Sequence, residues 1–215
     1  MAETIGCDGL VRMLRGAAAR INAEHAMLSR LDAATGDGDH GTTMRRAMGK
    51  LEGALAEASS HAPGGVLNDV GWAILGVDGG ATGPLLGSFF MGMAEAVGPR
   101  DALDSPALAS AFEAALAAVR KQTKAQVGDK TMIDALAPGV AALRAAADAG
   151  KGPAAALAAA ADAAQQGAAG TKDLQARFGR ARNLGERSIG SPDPGATSIG
   201  LIFRGFADAL ASQST

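Results

Sequence analysis

Leu31-Asp32-Ala33-Ala34-Thr35-Gly36-Asp37-Gly38-Asp39-His40-Gly41-Thr42-Thr43-Met44 is the stretch around which the chain reads. Three aspartates set among small residues separate two helical runs. Upstream, Leu10, Leu14, Ala17, Ile21, Leu28 and Leu31 recur at helical spacing and predict a helix over 4–31. Downstream, a second helix is expected over 42–57. Carboxylates grouped in this way repel unless a cation lies between them, and Mg2+ favours one or two carboxylates together with phosphate oxygens. The unpaired amides and positive dipole end of the following helix suit a phosphate. The same loop also reads as a solvated acidic turn with Asp39 as a helix cap.

The pattern of helix, break, helix then repeats. A third helix is expected over about 66–76, with Trp72 in the core, and a fourth runs to about 97 with Phe89, Phe90 and Met93. Ser105 as cap and Pro106 at the first helical position open a fifth, with Leu108, Phe112, Leu116 and Val119 on one face. A sixth follows Met132 to about 148, disturbed at Pro138, and an alanine-rich seventh covers about 154–168. A long polar connection, about 170–195, carries a short helix at its start. The last helix begins near Ala196, and Ile199, Ile202, Phe203, Phe206 and Leu210 form its apolar stripe. His25 reads as a solvated or core-edge residue, and His61 as a surface residue in a turn.

Composition agrees with eight helices. Hydrophobic residues make up 47% of the chain but aromatics only 3%, tyrosine is absent and glycine is plentiful. Alanine is the best helix former, and no run alternates in the manner of a strand. The expectation is one all-α domain over 1–215. The net charge of −2 gives no electrostatic case for nucleic acid or an anionic membrane. Cys7 is the single cysteine, so there is no internal disulfide and no thiolate metal cluster. The basic-then-apolar order of a signal peptide and any membrane-length apolar run are missing, so a cytoplasmic protein is expected.

If the helices run up and down with short links, alternate loops share an end. The first, third, fifth and seventh loops are the unusual ones: the triple aspartate, the glycine-rich 78–84, the Gly128–Met132 turn, and the arginine-bearing link that ends in Asp193-Pro194-Gly195. All four lead into a helix N-terminus, beside the three aspartates. Such an end suits a polyphosphate with Mg2+. Taken singly, each residue keeps a plainer reading: Thr82 and Thr131 as caps, Met132 as core, Arg180 as solvated, Asp193 and Gly195 as the start of the last helix. The Gly-Lys-Ser/Thr ending of a P-loop is absent, so a nucleotide would be held by an unconventional scaffold.

Gly36-Asp37-Gly38-Asp39-His40-Gly41-Thr42-Thr43-Met44, Gly79-Gly80-Ala81-Thr82-Gly83-Pro84, Gly128-Asp129-Lys130-Thr131-Met132 and Leu184-Gly185-Glu186-Arg187-Ser188-Ile189-Gly190 with Asp193-Pro194-Gly195-Ala196 together resemble the L subunit of dihydroxyacetone kinase. The resemblance spans essentially the whole chain, with the motifs in family order. It implies an antiparallel up-and-down eight-helix barrel that binds ADP or ATP at one end through two Mg2+ ions. Asp32, Asp37 and Asp39 match the metal ligands. His40, Gly41, Thr42 and Thr43 match the phosphate-binding helix start, and Ala81 with Thr82 a further nucleotide contact. Thr131 and Met132 match positions near the base or ribose. Arg180, a candidate charge stabiliser, and Asp193, Pro194 and Gly195 match the closing side of the pocket.

The resemblance also implies partners. In the family a K subunit holds the ketose covalently on a histidine, and in phosphotransferase-dependent systems an M subunit rephosphorylates bound ADP. A chain with only the L-like domain favours that branch. A two-subunit ATP-dependent kinase for another small ketose, and a nucleotide-binding regulatory subunit without transfer activity, stay open as alternatives. Three positions depart from the pattern: Thr43 where asparagine is common, Thr82 where serine is, and Thr123 where glycine is. Related fatty-acid kinases generally carry threonine where this chain has His40.

Overall fold

The computed structural model describes residues 3–58 and 62–211. The described chain is all-α, with eight α-helices: α1 (Cys7–Ala33), α2 (His40–Glu57), α3 (Pro63–Leu75), α4 (Thr82–Val97), α5 (Ser105–Gln122), α6 (Ile133–Asp148), α7 (Pro153–Gly170) and α8 (Pro194–Ala211). None of them is long and apolar enough to cross a membrane. Two 3-10 segments, Thr171–Asp173 and Arg180–Ser188, lie in the connection before α8. The first is the short helix expected there. The second has no apolar periodicity, and Gly185 breaks it with φ +57, so pattern alone gave no sign of it.

Helix starts follow local chemistry. Pro63, Pro106 and Pro153 stand in the first turns of α3, α5 and α7, where no intrahelical donor is required. Pro63 thus extends α3 beyond the expected start. The α5 cap is Asp104, not Ser105: the Asp104 carboxylate accepts the Ala107 amide at 2.9 Å. Ser105 is buried and donates instead to the Lys151 carbonyl at 2.6 Å. α6 continues through Pro138. A proline there removes one hydrogen bond, and packing of α6 against α7 and α8 holds the turns on either side.

Each helix packs on its successor, and α8 packs back on α1, so the order closes on itself. At the closing seam a Cβ on Gly205 would lie 2.5 Å from the Gly16 carbonyl oxygen, so only glycine permits that approach. The α7 alanines serve the same end: Ala156, Ala160, Ala161, Ala164 and Ala168 are buried. In the middle, Phe112 meets Phe89 and Phe203 edge-on at centroid distances of 5.8 and 5.2 Å.

The stripes on α1, α5 and α8 are buried as expected except at Leu31 and Leu210, which are half-buried, but Trp72 is not buried: it is 59% exposed. The buried face of α3 is Val66, Leu67, Val70, Gly71 and Ile74. At about 100° per residue, Trp72 falls outside it despite its bulk. A short antiparallel pair, β1 (Ile5–Gly6) with β2 (Ala102–Leu103), ties the N-terminus to the α4–α5 loop. Two residues are too few to leave an alternating signature.

Candidate functional site

The loops that follow α1, α3, α5 and α7 meet around one cavity of about 440 Å³. The N-termini of α2, α4, α6 and α8 border it through His40, Thr82, Ile133 and Pro194. The other described links gather away from it, joined by the β1–β2 pair and by the Ser105–Lys151 bond. His61 lies outside the described residues.

The α1–α2 loop brings Asp32, Asp37 and Asp39 together, with one oxygen from each within 4.8 Å of the others. The turn forms because the Asp32 carbonyl accepts the amides of Thr35 at 3.0 Å and Gly36 at 2.5 Å. The Asp32 carboxylate accepts the His40 amide at 3.2 Å. Asp39 occupies the N-cap of α2, yet its side chain makes no capping bond. The capping reading of that residue therefore fails, and its carboxylate is left to the cluster. Asp37 is ion-paired with Arg180, which reaches in from the link before α8.

The His40 ring nitrogen Nε2 lies 2.8 Å from the Ser198 hydroxyl, and the ring also bonds the Pro194 carbonyl. Burial pushes this imidazole below its ordinary pKa, against the pull of Asp32 and Asp39. His40 thereby fastens the start of α2 to the start of α8. Gly41, Thr42 and Thr43 are not among the lining residues. Gly41 has a packing role, because a Cβ there would lie 1.9 Å from the His25 carbonyl oxygen on α1. Thr43 is buried and Thr42 exposed.

Ala81, Thr82, Thr131 and Met132 line the cavity, as do Arg180, Asp193, Pro194 and Gly195. Thr131 keeps its plainer role as well, accepting the Ile133 amide at 3.2 Å, and Met132 also packs against the core. Asp193 caps α8 by accepting the Ala196 amide at 2.7 Å. Enclosure by protein pushes its carboxyl pKa up to about 7, although that hydrogen bond and the nearby Lys130 ammonium oppose the rise.

Reading by motif missed Thr35, Phe178, Ser198 and Lys130, all of which line the cavity. Lys130 lay inside a quoted motif, and its left-handed backbone, φ 60, is not visible in sequence. Ser198 falls one turn after Pro194 on α8, a spacing that was available but carried no chemistry without the partner His40. Thr123 lines the cavity too, and the rest of the wall is glycine or apolar, including Met44, Leu86, Ile199 and Ile202.

Similarity to known proteins adds to this geometry. The protein-family model described as the DAK2 domain matches residues 34–208. The chain is 37% identical over 196 residues to the PEP-dependent dihydroxyacetone kinase 1 ADP-binding subunit DhaL of Listeria innocua, covering 91% of this chain and 93% of that one. It is 38% identical over 185 residues to the D-erythrulose kinase of Mycolicibacterium smegmatis, covering 85% of this chain and 32% of that one. The crystal structure of the dihydroxyacetone kinase from C. freundii in complex with AMP-PNP and Mg2+ superposes with a TM-score of 0.71 at 27% identity, over 93% of this chain and 33% of that one. With a family match over most of its length and a relative aligned almost end to end, the chain belongs to the DAK2 domain family.

Proposed function

We propose that this chain is the nucleotide-binding subunit of a dihydroxyacetone (glycerone) kinase. It holds ADP or ATP with two Mg2+ ions and passes the terminal phosphoryl group to dihydroxyacetone presented by a separate K subunit. ADP then stays bound as a cofactor and is rephosphorylated by a phosphoenolpyruvate-dependent phosphotransferase M subunit. One observation carries the reading: three carboxylates converge on a cavity bordered by four helix N-termini. Similarity to an ADP-binding subunit over nearly its full length supports it. On the same reading, residues 1–215 form one cytoplasmic domain, and the closed ring of helices is an antiparallel up-and-down eight-helix barrel.

Hard, charged oxygens set a few ångströms apart fit Mg2+, so Asp32, Asp37 and Asp39 are the residues to hold it. The ions supply charge neutralisation at the phosphates. Gly41 and Thr42 offer the free first-turn amides of α2, since the His40 amide goes to the Asp32 carboxylate and the Thr43 amide to the Asp39 carbonyl, and Ala81 and Thr82 offer those of α4, where no side chain caps the helix. Thr131 and Met132 flank the base or ribose. Asp193, Pro194 and Gly195 close the pocket, and Arg180, paired with Asp37, stands ready to stabilise phosphate charge. Phosphoryl transfer asks the protein for positioning and electrostatics above all.

No described histidine is placed to anchor a ketose. His25 lies in α1 with Nδ1 2.8 Å from the Asn22 carbonyl, and His40 is tied to Ser198. The K partner therefore presents the substrate at the open end. Purified chain with ATP, Mg2+ and dihydroxyacetone should form product only when a K-type subunit is added, and bound ADP should be recharged by a phosphoenolpyruvate-driven system. Rapid product formation by the chain alone would overturn the assignment. Similarity to the D-erythrulose kinase favours a second reading, an ATP-dependent kinase for another small ketose. Turnover of erythrulose with ATP and the K partner, without phosphoenolpyruvate, would select it.

A further inference from the structure

Two of the cavity walls, the loop 123–132 and the connection 171–193, contain no α-helix or strand, and something must hold them in register. Lys130 joins them. It is 3% exposed, and its ammonium donates to the carbonyls of Thr171 and Ser191, each at 2.6 Å. The carboxylates of Asp193, Asp173 and Asp134 surround its charge. Its backbone is left-handed, the one such non-glycine among the described residues, and such a conformation persists only where the surroundings fix it. The surroundings do so: Asp134 accepts the Gly128 amide at 2.6 Å and the Thr131 amide at 2.7 Å, one on each side of Lys130.

The bonds continue from Lys130 into the pocket. Thr171, held by Lys130 through its carbonyl, accepts the Asp193 amide on its hydroxyl at 2.8 Å and donates that hydroxyl to Ala168. Asp193 in turn caps α8. A second tie runs beside the first, from the Arg177 amide to the Asp129 carbonyl at 3.1 Å. The Thr171 carbonyl also accepts the Leu174 amide at 3.2 Å, but that bond stays inside the connection, and an ion pair between the exposed Arg177 and Asp129 at 3.6 Å accompanies the second tie.

We infer that Lys130 is a positioning residue: its buried ammonium clamps the Thr171–Ser191 connection onto the 123–132 loop and so sets the Asp193–Gly195 wall against a bound nucleotide. This rests on the nucleotide reading above. Its role is distinct from that of a lysine that touches phosphate, because both short bonds go to backbone carbonyls.

The test compares Lys130→Met and Lys130→Arg with the parent chain by ADP-Mg2+ titration and by hydrogen exchange without nucleotide. Lys130→Met should weaken binding at least tenfold and speed exchange of the Gly190, Asp193 and Ala196 amides, while those in α1 to α5 keep their protection. Lys130→Arg, which restores a cation with several donors, should recover part of both. Unchanged affinity in Lys130→Met overturns the inference. So does lost affinity with unchanged exchange, which would make Lys130 a direct nucleotide ligand, or a loss that arginine does not relieve. Should Lys130→Met fail to fold, Thr171→Val removes the next bond in the chain and is read in the same way. The exchange arm needs no ligand, so failure of the parent chain to bind ADP-Mg2+ strikes the nucleotide reading and is seen separately.

Discussion

Replacing Asp39 by asparagine should move stability in opposite directions with and without metal. Its carboxylate has an oxygen within 4.8 Å of one on each of Asp32 and Asp37, and it makes no capping bond that the change would break. Two unit charges at that distance repel by about 0.9 kcal/mol in water, and by roughly half that at physiological ionic strength. Arg180 offsets the Asp37 charge, so neutralising Asp39 relieves mainly the repulsion from Asp32, about 0.5 kcal/mol in the metal-free chain. For a protein of this size that raises the melting temperature by about 1–2 °C. With saturating Mg2+ and ADP the order should invert. Ligand at a hundred times its dissociation constant stabilises the parent by about 2.7 kcal/mol, and the variant loses most of that gain with its metal. Thermal melts in EDTA and in ADP-Mg2+, with chromatography of the nucleotide retained after purification, measure both arms. An Asp39→Asn chain that melts below the parent in EDTA and retains as much nucleotide would refute the assignment of this cluster to metal.

Gly41→Ala should destabilise the chain by about 3 kcal/mol or more, since its Cβ would fall 1.9 Å from the His25 carbonyl oxygen and 2.8 Å from the Ser29 amide; denaturant unfolding checks it, and a gain in stability would show that α1 and α2 do not approach so closely. Asp193→Asn should flatten the dependence of stability on pH. The Asp193 pKa rises from 3.8 to about 7 on folding, so the folded state holds the proton more tightly and stability falls as pH climbs between those values, by at most roughly 4 kcal/mol. The asparagine variant should lack this fall, and an unchanged pH profile would remove Asp193 as its source.

Much of the helical architecture was legible because burial on a helix face repeats. The stripes of Leu108, Phe112, Leu116 and Val119, and of Ile199, Ile202, Phe203 and Phe206, are buried as their spacing requires. Trp72 faces outward because helix phase outweighs residue type: the α3 face that packs inward is set by Val66, Val70 and Ile74. Asp104 and Ser105 were exchanged because both are good caps, and only the position of Lys151 shows that the serine is engaged elsewhere. At the site, the aspartates and the glycine-rich loop stood out by composition. Ser198 and Lys130 did not, since a helix serine and a loop lysine are ordinary until a partner is seen.

The all-α class, the number of long helices and the alternation of plain and unusual loops are written in local residue patterns. These depend on local propensity and on periods of a few residues, which a chain carries in one dimension. Three-dimensional packing set which carboxylates cap a helix and which does not, that Gly41 serves packing, and that Lys130 reaches Thr171 across 41 residues of chain. Each of those outcomes depends on a distance between atoms remote in sequence. Close packing sets such distances through every helix at once, including the glycine seam where α8 meets α1.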